Sequence, residues 1–250
     1  MSQPTARLRM FAGPNGSGKS TIKDVIPAAW LGVYVNADEI EKNIRQNLRL
    51  DLGEFGLEAE ASSIRLFLQS SALLAKCDLL PLIDDLHIER NLLEFDRVSV
   101  NSYWASVISD FIRHQLLQSG TSFTFETVMS SPDKVDFLCK AQTQGFKTYL
   151  YYVATEDCAI NIERVRQRVA NGGHPVAVEK IVSRYERSLG LLMDAVNCAD
   201  RAYIFDNSSH ERVWIAEANQ GLDLEMKSEL MPNWFKTHLW DKFDGTPTPD

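Results

Sequence analysis

The chain has 250 residues, with 26 Lys and Arg against 34 Asp and Glu, so it carries a formal charge of -8. That length fits one large domain or two small ones, and 44% apolar with 24% charged residues lies far from the composition of a disordered chain. The acidic balance argues against a protein that wraps nucleic acid through a broad basic face, because phosphate neutralisation supplies most sequence-independent affinity.

No stretch approaches the roughly 18 apolar residues of a membrane span, and the first residues hold only a short apolar run, MFAG. A cytoplasmic protein with no membrane partner is therefore expected. Cys77, Cys139, Cys158 and Cys198 stand far apart without a C-x-x-C pair. That spacing argues for free buried thiols rather than a zinc site or a disulfide framework.

In chain order, short buried strands are expected at Leu8 to Ala12 and Val33 to Asn36, with a helix from about Ser20 between them. Apolar residues then recur at three and four spacing through Glu58 to Lys76, Leu79 to Glu94 and Ser102 to Leu117, which predicts helices ending at Gly120. Strands return at Ser122 to Glu126, Lys147 to Ala154 and Arg201 to Asp206. Between the last two lie a helix over Asp157 to Val169, the turn NGGHP, and a helix from about Val178 to Val196. A hairpin through Asn219, Gln220 and Gly221 can follow over Trp214 to Met226. Trp234, Phe235, Leu239, Trp240 and Phe243 are expected to seat a final helix, with an exposed partner interface as the alternative, and DGTPTPD reads as a disordered tail.

Strands alternating with helices predict an α/β fold, a mostly parallel sheet with helices on both faces. The expected organisation is a single domain over residues 1–250 with a helical cap insertion at about 50–100. Asp51 to Arg97 holds ten acids against four bases, most of the chain's excess negative charge.

Directly after the first strand comes GPNGSGKST, which is Gly13, Pro14, Asn15, Gly16, Ser17, Gly18, Lys19, Ser20 and Thr21. It matches the phosphate-loop pattern G-x-x-x-x-G-K-[ST], and a chance match in a chain of this size has a probability on the order of one in a hundred. Glycines let the backbone turn its N–H groups inward into an anion nest at the start of the next helix. Lys19 then reaches the terminal phosphates, and the Ser20 hydroxyl is the magnesium ligand.

Ligands in such sheets sit beyond the carboxyl ends of the strands. Asp38 follows the second strand in VNADEI, and Glu126 closes the third in SFTFETVMS. A carboxylate at either place can take a proton from an incoming hydroxyl or hold magnesium through water. Asp38 is equally readable as a first-turn helix acid, and Glu126 as an exposed strand residue opposite Phe123 and Phe125. Arg164 and Arg168 are four apart and share a helix face. They can neutralise a transferring phosphate or simply form a solvated face. Arg184 and Arg187 are weaker candidates of the same kind, and His174 reads as a turn residue.

Taken in order, AGPNGSGKST, NADEI, FETVMS, GFKTYLYYV, RVRQRVANGGHPV, RYERSL and YIFDNS closely resemble the zeta-toxin-like P-loop kinases, from about Leu8 to Ser208. Zeta toxins phosphorylate the sugar 3'-hydroxyl of UDP-N-acetylglucosamine from ATP. The resemblance implies that Lys19 and Ser20 bind ATP and Mg2+, and that Asp38 is the general base. It places Glu126 and Thr127 on the substrate, Arg164 and Arg168 on the transferring phosphate, and the Tyr203 to Ser208 segment with Asn207 beside the nucleotide. A small-molecule acceptor, a UDP-sugar first, and an antitoxin protein are the implied partners.

Two departures bear on the acceptor: Val128 stands where relatives commonly carry a second Thr, and the acidic insertion is larger than the family's compact segment. A nucleoside, an amino sugar or an RNA end remains an alternative acceptor. A non-catalytic ATP-binding regulatory module is the alternative from another class.

Overall fold

The computed structural model describes residues 5–173 and 175–243. The expectations for His174 and for the DGTPTPD tail lie outside the described residues. The chain runs β1 (Arg7–Ala12), α1 (Ala28–Leu31), β2 (Val33–Val35), α2 (Ala37–Asn47), β3 (Arg49–Asp51), α3 (Ala61–Gln69) and α4 (Ala72–Lys76). It continues through β4 (His87–Glu89), β5 (Leu92–Glu94), α5 (Ser102–Gln118), β6 (Phe123–Thr127), α6 (Asp133–Thr143), β7 (Lys147–Ala154) and α7 (Cys158–Ala170). α8 (Val178–Gly190), α9 (Leu192–Asn197), β8 (Arg201–Asp206), β9 (Val213–Asn219), β10 (Asp223–Met226) and α10 (Asn233–His238) complete it.

Seven strands form one mostly parallel sheet in the order β10-β9-β8-β7-β1-β6-β2, an α/β architecture as the alternation of strands and helices predicts. The chain divides into two compact units, Met1–Leu31 with Glu126–Asp250, and Gly32–Phe125.

In the first unit, β1, β7 and β8 pair in parallel, with Met10 opposite Leu150 and Leu150 opposite Ala202. The period of two puts Leu8, Met10, Leu150, Tyr152, Ala202 and Ile204 on one face, all fully buried. Helices α8 and α10 close that face. The Tyr152 hydroxyl meets Ser188 Oγ at 3.0 Å, and its ring lies 6.1 Å from that of Trp234. Burial drives the Tyr152 hydroxyl far above the usual phenol range, despite the Ser188 hydrogen bond.

The opposite face carries aromatic and cationic side chains. The Arg9 guanidinium sits 5.1 Å from the Tyr149 ring centroid, and Tyr151 stacks on Tyr203 at 4.8 Å. Burial, with Tyr203 alongside, pushes the Tyr151 hydroxyl up to about 12. The hairpin expected near the end is β9 and β10, joined by the three residues Gln220, Gly221 and Leu222, with Gln220 and Gly221 left-handed at φ 52 and 65. Trp234, Phe235, Leu239 and Phe243 are buried, so the last helix packs on this unit through them.

One expectation about the cysteines fails. Cys139 in α6 and Cys198 at the end of α9 are bonded to each other, with Cα atoms 4.7 Å apart, while Cys77 and Cys158 are free. Fifty-nine residues separate the pair in sequence, so only the packing of α6 beside α9 brings it together.

In the second unit, β2 pairs with β6 in parallel, Val33 opposite Phe123, and α2 and α5 bury Ile40, Ile44, Trp104, Ile108 and Ile112. The helix expected over Leu79 to Glu94 is absent. That segment holds a short 3-10 turn at Leu80–Ile83 and then the β4/β5 hairpin, to which β3 adds as a third antiparallel strand. The spacing of its leucines mimicked a helix, but Pro81 sits in the turn and Arg90 takes a left-handed φ of 49 between the strands. Leu50 and Ile88 both pair with Leu93, and all three are buried on one face. Arg65 secures the turn by donating to Ile83 O at 3.0 Å and Leu86 O at 2.8 Å.

Candidate active site

The phosphate loop leaves β1 through two glycines that no other residue replaces without displacing a neighbour. Gly13 has φ 139, and a Cβ there would lie 2.0 Å from Val153 O. Gly18 has φ 94, and its Cβ would lie 2.2 Å from Asn207 Nδ2. Asn207 therefore closes over the loop, and it donates to Ser17 O at 2.7 Å. The helix expected from about Ser20 is present as a 3-10 segment, Lys19–Val25. Thr21 Oγ1 bonds back to Gly18 O at 2.8 Å, the local competition that weakens α-helical pairing, and Pro27 supplies no N–H to extend the helix.

Lys19 is buried and turned into its own loop, Nζ donating to Pro14 O at 2.9 Å. Ser20 Oγ donates to Glu126 Oε1 at 3.0 Å. The structure thus brings the strand-end acid Glu126 to the hydroxyl that ends the phosphate loop. Thr127, next along β6, accepts from Met129 N at 3.0 Å, which holds the backbone of Met129 at φ 51. Two hard oxygen donors side by side suit a magnesium ion. Among the described residues no three His, Cys, Asp or Glu side chains form a metal cluster, so such an ion would complete its shell with water and phosphate oxygens.

Arg164 donates to Asn207 O at 2.7 Å and to Ser209 O at 3.3 Å. It thereby fixes the segment that carries Asn207. Arg168, one turn on, is exposed, and Gly173 packs against its stem, where a Cβ would lie 2.7 Å from Arg168 Cγ. Asp38 belongs to the second unit. It stands exposed in the first turn of α2, whose N-cap Asn36 accepts from Asp38 N at 2.8 Å, so its carboxylate is not consumed as the cap.

Residues 97–218 match the family model described as Zeta toxin. Over that stretch, just under half of its length, the chain is similar to the zeta toxins. The PezAT chromosomal toxin-antitoxin system of Streptococcus pneumoniae superposes with a TM-score of 0.51 at 12% identity, over 96% of this chain and 80% of that one. The AvrRxo1-ORF1:AvrRxo1-ORF2 complex with sulphate ions gives 0.52 at 12% identity, over 96% of this chain and 64% of the other. The complex with ATP gives 0.50 at 15% identity, over 98% and 66%. At such identities the likeness establishes the fold. An uncharacterized protein of Haemophilus influenzae is 28% identical over 72 residues, 29% of this chain and 51% of that relative, so the match spans about half of the curated relative's length.

Around this site several residues are more engaged than their sequence context signals. Asn161, fully buried in α7, donates to Asn15 O at 2.6 Å and accepts from Thr155 Oγ1. Arg184 reaches Asn15 Oδ1 at 3.4 Å, Arg187 donates to Ser130 O at 3.0 Å, and Ser188 donates to Val128 O at 2.8 Å. Tyr185 donates to Thr155 O at 2.6 Å, and burial raises its hydroxyl well above the phenol range. The RYERSL stretch of α8 is therefore wired both to the phosphate loop and to the segment after Glu126. Helical spacing shows which of these residues share a face, but not what that face meets. A cavity of about 520 Å³ opens beside Gly18 and Thr21, with Arg164, Asn207 and Arg212 in its wall.

Proposed function

We propose that the chain is an ATP-dependent phosphotransferase of the zeta-toxin type, which phosphorylates a hydroxyl of a small molecule. UDP-N-acetylglucosamine, at its sugar 3'-hydroxyl, is the first acceptor to try. The observation that carries the reading is the hydrogen bond of Ser20 to Glu126 at the end of a phosphate loop that Gly13 and Gly18 shape and in which Lys19 is buried.

In this reading Lys19 exchanges its bond to Pro14 O for the terminal phosphate oxygens, where its charge stabilises the transferring group. Glu126 and Thr127 orient the acceptor, and Asp38 takes the proton from the attacking hydroxyl. Arg168 neutralises charge on the transferring phosphate, and Arg164 does so from the anchored position it holds against Asn207. Ser20, with Glu126 beside it, would hold a magnesium ion, which supplies charge neutralisation across the phosphate oxygens. Toxin-antitoxin neighbours support an antitoxin protein as a partner of this chain.

The test is transfer of labelled γ-phosphate from ATP to UDP-N-acetylglucosamine, a nucleoside panel and an amino-sugar panel. Wild type is expected to label one of them, and Lys19→Ala and Asp38→Asn to slow transfer by at least about a hundredfold, the usual loss for a preorganised charge. No label on any acceptor, or full turnover by Asp38→Asn, would overturn the proposal.

A further inference from the structure

The cavity beside the phosphate loop has one wall to which neither the motif nor the family resemblance gives a role. Arg212 stands just before β9 and is half-buried. Its guanidinium carbon lies over the Phe205 ring, 5.5 Å from the centroid. Arg212 lines the cavity and Phe205 does not, so the guanidinium is the layer between the ring and the open space. Nη1 also donates to Thr21 Oγ1 at 2.5 Å, one residue beyond Ser20. The ring behind and the hydroxyl at its edge hold the guanidinium plane in one orientation.

Arg164 lines the same cavity, but Asn207 O and Ser209 O engage its guanidinium. Arg212 lines it as well, with its guanidinium over the Phe205 ring and one edge donating to Thr21. Burial draws its pKa below the usual arginine value, and Asp24 is the acid whose charge acts against that shift. Among the described residues, no carboxylate lines the cavity. A planar, weakly hydrated cation backed by an aromatic ring is a stacking surface for another π system. Its distance along the chain from the phosphate-binding lysine matters less than its contact with Thr21, which ties it to the loop where the triphosphate would lie.

We propose that the cavity-facing side of the Arg212 guanidinium is the platform on which the base of a purine nucleoside triphosphate stacks. The assignment rests on the phosphate-loop reading above and adds to it the residue that holds the base. Phe205, Arg212 and the base form three layers, and the Arg212–Thr21 hydrogen bond sets the base at a fixed offset from the phosphates.

Calorimetric titration of the full chain with ATP and with inorganic tripolyphosphate, which has phosphates but no base, tests it. Arg212→Ala is expected to weaken ATP binding roughly tenfold, the scale of a partly desolvated cation–π contact, and to leave tripolyphosphate binding within about twofold. Arg212→Lys keeps the charge without the plane, and is expected to bind ATP no better than about threefold above the alanine variant. Retained tripolyphosphate binding also reports that the loop is folded in each variant. Equal losses for both probes would make Arg212 a phosphate ligand and overturn the proposal. So would unchanged ATP affinity in Arg212→Ala, or full recovery in Arg212→Lys. Wild type that binds neither probe overturns the phosphate-loop reading itself, an outcome distinct from the other three.

Discussion

Gly18→Ala tests how the phosphate loop is shaped. The residue sits at φ 94, and an added Cβ would lie 2.2 Å from Asn207 Nδ2. Holding alanine in a left-handed conformation costs about 1–2 kcal/mol. Moving the Asn207 amide away forfeits its bond to Ser17 O, 2.7 Å long, which contributes about 1 kcal/mol. The sum is about 2–3 kcal/mol, so tripolyphosphate and ATP affinity should fall about 30- to 150-fold at 1.4 kcal/mol per tenfold. Gly120→Ala is the control, because it has φ 68 but nothing within 4 Å of an added Cβ. It should lose stability from the backbone alone and bind both probes as wild type does. Calorimetric titration alongside thermal melts separates the two effects. Affinity of Gly18→Ala within threefold of wild type would refute the claim that the Asn207 contact shapes the loop.

Two further changes probe the scaffold. Asp200 accepts from Thr148 N at 2.8 Å, Thr148 Oγ1 at 3.0 Å and Lys147 Nζ at 3.2 Å. Burial works against its charge, but these hydrogen bonds prevail and hold its carboxyl below the ordinary value of 3.8. A depressed folded pKa stabilises the fold above the ordinary value and ceases to do so as pH falls through the folded one. Asp200→Asn should therefore melt below wild type at neutral pH, by about 1–2 kcal/mol after allowing for water access, and the gap should close in acid. A gap that persists unchanged in acid would show that charge is not the cause. Trp234→Phe keeps most of the buried area but removes the Nε1 donor to Asp206 Oδ2 at 2.8 Å. With Asp206 only 3% exposed, the loss should be about 1.5–3 kcal/mol, read as a Tm drop of about 3–12 °C. An unchanged Tm would mean that water replaces the donor.

The strands of the parallel sheet were legible because each is a short apolar run that meets a polar or glycine boundary. Lys147 to Ala154 and Arg201 to Asp206 coincide with β7 and β8. The region from Leu79 to Glu94 was not, because its apolar spacing satisfies a helix and a hairpin alike. The choice fell to contacts with Leu50, far away in sequence. The cysteines misled for the same reason, since nothing local to Cys139 announces Cys198.

By itself the sequence determined the residue types at the loop: glycines where φ is positive, then a lysine and a hydroxyl at the loop's end. These are local requirements of backbone and charge, so a nine-residue window carries them. Which distant side chains meet that loop was decided only by the tertiary structure. Glu126 reaches Ser20, Asn207 reaches Ser17, and Arg212 reaches Thr21 across separations of 106, 190 and 191 residues. Those meetings depend on the order of strands in the sheet, a global property that no local pattern of residues encodes.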